Sequence, residues 1–227
     1  MLRLFAAALL LCCATAQAAE ICAIPPNLTP APVVPQEEQR ILPVEKLVLA
    51  YYWWPQECQR PDAAGTPACK AGFGFKVHGL WPDGAGRTYP QFCRAPTPLD
   101  AATVRANYCM TPSASLLQHE WAKHGTCNWA SPADYFGAAQ RVAGTLTMPD
   151  AAALIVKSGG MTAGDLRTAV VAANPQVPRT ALFIGTNNKQ WLTELRVCLS
   201  LAYAPMPCED NDIGAPDSVP IQVRPAV

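Results

Sequence analysis

Leu47-Val48-Leu49-Ala50-Tyr51-Tyr52-Trp53-Trp54 is an unbroken run of aliphatic and aromatic residues closed by Pro55. These are residue types that suit a pleated, buried surface, and the run has the length of a strand rather than of a core helix. A second strand is expected over Gly74-Phe75-Lys76-Val77-His78-Gly79-Leu80-Trp81, where polar and apolar residues alternate until Pro82. Towards the C-terminus, residues 181–186 and 191–203 read as a hairpin around Asn187-Asn188. In its second strand Leu195, Val197, Leu199 and Leu201 take one face, and Glu194, Arg196, Cys198 and Ser200 take the other.

Helices fill the space between these strands. One is expected over residues 100–108. Ser113 offers an N-cap for another running through Lys123, with Gly125 placed as its C-terminal stop. Ser131-Pro132-Ala133-Asp134 opens a third with a cap, a first-turn proline and an acidic residue, continuing towards residue 147. Thr162-Ala163-Gly164-Asp165 resembles a capping box with Asp in place of Glu, for a helix ending near Asn174-Pro175. Strands at both ends with helices clustered between them predict an α+β fold, a central antiparallel β-sheet with helices packed around it.

The N-terminus reads differently. Arg3, the apolar run from Leu4 to Cys13 and the small residues of Ala16-Gln17-Ala18 form the three parts of a secretory signal over residues 1–18. The apolar run is too short for a membrane span, and no later stretch supplies one. Residues 19–44 form a Pro-rich extension, with prolines at 25, 26, 30, 32, 35 and 43. Residues 45–227 then make one domain, as about two hundred residues can bury a single core. Of ten cysteines, Cys12 and Cys13 leave with the signal, so eight remain in an exported chain. An even number there favours disulfides over metal. With no Cys-x-x-Cys pair, a zinc ribbon or a thioredoxin-like motif is not expected.

Formal net charge is zero, so the chain lacks the basic footprint of a protein that coats nucleic acid. An enzyme gripping a few nucleotides in a cleft stays open. All three histidines sit in two short motifs, Lys76-Val77-His78-Gly79-Leu80-Trp81-Pro82-Asp83 and His119-Glu120-Trp121-Ala122-Lys123-His124-Gly125. Histidine, with an ordinary pKa of about 6.5, both takes and gives protons near neutral pH. On an α-helix, Glu120, Lys123 and His124 share a face at i, i+3 and i+4, with His119 flanking them. A zinc site of the His-Glu-x-x-His kind needs histidines four apart; here they are five apart, roughly 140° out of line on an α-helix. A solvated face of charge pairs is the second reading. The third is an acid–base site beside a cation, suited to an anion such as phosphate. Two imidazoles can then serve as base and acid on opposite sides of one phosphorus. Trp81 and Tyr89 are candidates to stack a base, and Asp83 to accept from an exocyclic amino group.

Val77-His78-Gly79-Leu80-Trp81-Pro82-Asp83 and His119-Glu120-Trp121-Ala122-Lys123-His124-Gly125-Thr126-Cys127 resemble, in order and separation, the two active-site signatures of the ribonuclease T2 family. The resemblance extends from about Leu47 to Cys208. It implies cleavage of single-stranded RNA through a 2′,3′-cyclic phosphate to a 3′-phosphate, with no metal or other cofactor. Carried onto this chain, it makes His124 the base, His78 the acid, Glu120 and Lys123 stabilisers of the crowded phosphorus, and His119 a phosphate holder. Trp81, Asp83 and Tyr89 match the family's main base site. By the same resemblance Cys93 pairs with Cys127 and Cys198 with Cys208, leaving Cys58 for Cys69 and Cys22 for Cys109. Leu116 stands where the family often has an aromatic of a second base site. The expectation is an exported monomer acting on RNA, without activity on DNA and without a membrane anchor. The rival is a non-catalytic homologue that binds or is toxic, which has no need to keep all five catalytic residues.

Overall fold

A computed structural model describes residues 22–33, 38–86, 88–209 and 212–226. The signal expected over residues 1–18 lies outside the described residues. Four strands, β1 (Lys46–Trp53), β2 (Phe75–Asp83), β3 (Leu182–Thr186) and β4 (Leu192–Leu199), form one antiparallel sheet in the order β2-β1-β4-β3. The aromatic run is thus a central strand, flanked by β2 and β4. Its alternation divides the sheet's two faces. Leu47, Leu49, Tyr51 and Trp53 are buried in the main core with Leu195, Val197 and Leu199 of β4. Val48 and Tyr52, pointing the other way, line a cleft together with Arg196 of β4.

Helices cover the core face. They are α1 (Trp54–Glu57), α2 (Ala101–Asn107), α3 (Ala114–Glu120), α4 (Thr126–Asn128), α5 (Pro132–Ala143), α6 (Ala151–Ser158) and α7 (Ala163–Ala173). Their starts follow side-chain chemistry: Asp100, Ser113, Ser131, Asp150 and Thr162 each accept a hydrogen bond from the backbone N–H three residues on. The Thr162–Asp165 pair forms a full capping box. Helix α6, which the sequence reading did not anticipate, is capped by Asp150 and stopped by left-handed Gly159. Four disulfides tie the loops down: Cys22–Cys109, Cys58–Cys69, Cys93–Cys127 and Cys198–Cys208. Among the described residues no helix is long and apolar enough to cross a membrane.

Three expectations need correction. Strand β4 ends at Leu199, and Leu201 is 51% exposed rather than inward-facing. Helix α5 stops at Ala143, short of residue 147. Gly125 is not a helix stop. Its backbone is right-handed helical (φ −58, ψ −41), and the helical path continues into α4. Between α3 and α4, Trp121–Gly125 winds as a π-helical turn. Gly125 is glycine for lack of room: a Cβ there would strike the Trp121 ring and lie 3.0 Å from Cγ of Tyr135.

Candidate active site

The site lies between β2 and the α3–π-turn segment, and each element is irregular where it supplies a histidine. Along β1 and β2 the register runs Leu49↔Leu80 and Ala50↔Gly79, then resumes at Tyr51↔Val77. His78 is the residue passed over. A bulge of this kind gives one strand an extra residue and re-aims a side chain, and it disturbs the strict alternation of faces. The effect is visible in two neighbours aimed at one target. His78 Nε2 lies 3.2 Å from Glu120 Oε1, while a Cβ on Gly79 would collide with the same Glu120 carboxylate. A regular strand would send consecutive residues to opposite faces.

The helix has an extra residue too. In the π-turn, backbone hydrogen bonds span five residues, so side chains five apart draw towards one face. His119, Glu120, Lys123 and His124 all line the same cavity of about 400 Å³. The angular argument that set His119 and His124 apart assumed α geometry, and the π-turn removes it. Among the described residues no group of three or more His, Cys, Asp or Glu is placed to hold a metal ion. The turn is held from outside. Phe92 N donates to the Lys123 carbonyl at 2.8 Å, and Arg94 Nε donates to the Thr126 carbonyl at 2.9 Å. Cys93–Cys127 locks that loop to the helix. The Lys123 carbonyl within the turn and the Thr126 carbonyl just after it thereby find donors from outside the helix.

Glu120 is the hub. It is 1% exposed, takes His78 Nε2 on one oxygen and accepts from Trp81 Nε1 at 2.7 Å on the other. Burial by itself pushes this carboxyl up, but the attraction of the neighbouring histidines, His78 foremost with its hydrogen bond, then His124 and His119, outweighs burial and holds the group at about 2. It is therefore an anion across the working pH range. His124, 7% exposed, is pushed the other way, down to about 3. Burial is the main cause; Lys123, His78 and His119 add to it, and only Glu120 opposes. Its ring stacks on Trp81 at 5.3 Å. His78 is stacked on Tyr52 at 3.7 Å.

All eight candidate residues meet at this cavity: His78, Trp81, Asp83, Tyr89, His119, Glu120, Lys123 and His124. Two have structural employment that the sequence did not suggest. The indole of Trp81 is a donor to Glu120. Asp83 lies 3.7 Å from Lys46 Nζ and accepts from Gly84 N at 3.0 Å, and its carboxyl is raised, chiefly by burial. Three cleft residues were missed. Tyr52 stacks on His78; Arg196, whose guanidinium carbon lies 5.1 Å from the Trp81 ring centre, lines the cavity; Gly79 leaves room for Glu120. Alternation along β1 and β4 put Tyr52 and Arg196 on the face opposite the core residues, a signal that was available and unused. Leu116 packs partly buried against Trp54, Ala68 and Phe73 rather than facing this cavity.

Residues 44–208 match the model of the Ribonuclease T2 family. The chain belongs to that family. Among curated relatives, the chain is 37% identical over 83 residues to a probable ribonuclease of Haemophilus influenzae, covering 34% of this chain and 30% of that protein. It is 39% identical over 87 residues to a ribonuclease of Aeromonas hydrophila, covering 38% and 39% respectively. These alignments thus span well under half the length of the curated relatives. Of solved structures, that of RNase NT in complex with 5′-AMP superposes with a TM-score of 0.62 at 17% identity, covering 81% of this chain and 100% of that one. The shared architecture is the Ribonuclease T2 fold.

Proposed function

We propose that this Ribonuclease T2 family member is an endoribonuclease that cleaves single-stranded RNA through a 2′,3′-cyclic phosphate to 3′-phosphate ends. The observation that carries the reading is the opposed treatment of two histidines around one buried anion. His124 is dry and disfavours its charged form, as a base awaiting a proton should. His78 faces the Glu120 carboxylate, the partner that an imidazolium needs.

In the first step His124 takes the proton from the 2′-hydroxyl, whose oxygen bonds to phosphorus. The bond from phosphorus to the 5′-oxygen breaks, and His78 gives that oxygen a proton. In the second step water replaces the departed hydroxyl, the bond from phosphorus to the 2′-oxygen breaks, and the proton roles reverse. Lys123 offsets the charge growing on the phosphoryl oxygens and His119 holds the phosphate. Glu120 fixes the orientation of His78. Each imidazole is asked for about 10²–10⁴-fold. The RNA base is placed against Trp81, Asp83 and Tyr89. DNA has no 2′-hydroxyl, so this chemistry does not run on it. We place the enzyme outside the cytoplasm, in keeping with four disulfides.

The test is incubation of the purified protein with an oligoribonucleotide in EDTA. Cleavage that persists and leaves cyclic-phosphate or 3′-phosphate ends supports the reading; 5′-phosphate ends refute it. The rate should peak on the acidic to neutral side, because one imidazole must be free while the other carries a proton. A rate that climbs steadily to about pH 9 contradicts the paired mechanism.

A further inference from the structure

The family match begins at residue 44, yet the chain just before it is bonded to the loop that carries Tyr89 of the cleft. Arg40 and Gln91 exchange backbone hydrogen bonds, N–H to carbonyl in both directions, at 2.9 Å each. Gln91 Nε2 donates to the Glu38 carbonyl at 2.7 Å, and Gln39 Nε2 to the Cys93 carbonyl at 3.3 Å. Arg40 reaches further. Its Nη1 donates to the Tyr89 carbonyl at 3.1 Å, and its guanidinium carbon lies 4.8 Å from the centre of the Tyr89 ring. That ring also neighbours His124, centroid to centroid 6.5 Å. The same lead-in is fixed again at Cys22–Cys109.

Tyr89 is 37% exposed on a loop, so by itself it would lose side-chain freedom each time a base stacked on it. A planar guanidinium bonded to the residue's own carbonyl and laid against its ring removes that freedom beforehand. It also occupies part of the ring's surface and limits where a base can stack. We propose that Arg40, in the segment anchored beside the base-binding end of the cleft, is a positioning residue that holds Tyr89 ready for a nucleobase. This rests on the reading of Tyr89 as a base platform made above.

The experiment is a double-mutant cycle in nucleotide affinity, measured by calorimetry on the full purified chain with adenosine 5′-monophosphate as probe. The variants are Arg40→Ala, Tyr89→Ala and the two together, with Arg40→Lys beside them. Arg40→Ala is expected to weaken binding about two- to five-fold, the range for a cation–ring contact near the surface. Tyr89→Ala should weaken it by more, and Arg40→Ala should then have no further effect on that background. Arg40→Lys keeps the charge but lacks the planar fork, and should recover only part of the loss. In cleavage of a dinucleoside phosphate, Arg40→Ala should raise KM and leave kcat alone, which a general loss of folded structure would not do. Unchanged affinity in Arg40→Ala, or an equal loss with and without Tyr89, overturns the inference, as does a wild-type chain that binds no nucleotide. Parallel oligoribonucleotide cleavage separates the two readings: wild-type cleavage with an additive cycle sinks only this inference. Binding coupled through Tyr89 without cleavage sinks only the enzymatic one.

Discussion

On β2, His78 is the residue by which one strand outruns its neighbour, while on the facing helix His124 sits in a turn wound one residue wider than an α-turn. On the strand the extra residue turns His78 into the cleft, and in the helix the wider turn draws His119 and His124, five apart, towards one face. The surroundings then part company. His78 meets a carboxylate at 3.2 Å and a tyrosine ring. His124 is stacked on a tryptophan, and burial, with Lys123, His78 and His119 adding to it, pushes its pKa down to about 3. The insertions decide which residues reach the cleft, and the local dielectric and charge decide what each can do there.

The harshest test of that division removes each imidazole in turn. His124→Ala and His78→Ala should each lower kcat on an oligoribonucleotide by about 10²–10⁴-fold, with circular dichroism unchanged. The double variant should lose little more than the worse single one, because the two act as a unit. Substantial turnover in either single variant would break the pairing of roles. Next in size is Gly79→Ala. The added methyl would collide with the Glu120 carboxylate and lie 2.6 Å from Trp81 Nε1, so the anion that holds His78 must move. We expect roughly 10²-fold loss in kcat with about 1–3 kcal/mol of destabilisation in urea unfolding. Full activity would show that the carboxylate need not stand where the bulge admits it.

Residue type and periodicity located the framework: β1 showed as an unbroken apolar run, and Leu195, Val197 and Leu199 announced β4 through the alternation that one buried face requires. Caps at Ser113, Ser131 and Thr162 were legible because a hydroxyl near three free N–H groups has one obvious use. The two insertions were not. A bulge or a π-turn is set by which outside groups claim the backbone, here Phe92 on the Lys123 carbonyl, and that partner is 31 positions away (123 − 92). Gly125 misled for the same reason. A glycine late in a helix has the pattern of a stop, and only the crowding of Trp121 and Tyr135 reveals a spacing residue. Arg40 was hidden in the segment that composition marked only as a Pro-rich extension ahead of the domain.

The smallest effect isolates the dryness of His124 from the charge of Glu120. In the folded chain His124 titrates near 3, against an ordinary value of 6.5, so between those values the unfolded chain binds a proton that the native state refuses. Stability therefore falls as pH drops below about 6.5, with a limiting slope of about 1.4 kcal/mol per pH unit for one group. Glu120 also has a depressed value, about 2 against 4.5, and its contribution likewise fades on acidification, but only once pH passes below the unfolded carboxyl value. The interval from about 6.5 down to 4.5 belongs to His124 rather than Glu120. Urea midpoints of wild type and His124→Gln, taken across that interval at constant ionic strength, should show a shallower loss in the variant. Equal slopes would mean that the native state accommodates a charged His124, and the contrast between the two histidines would then rest on geometry alone.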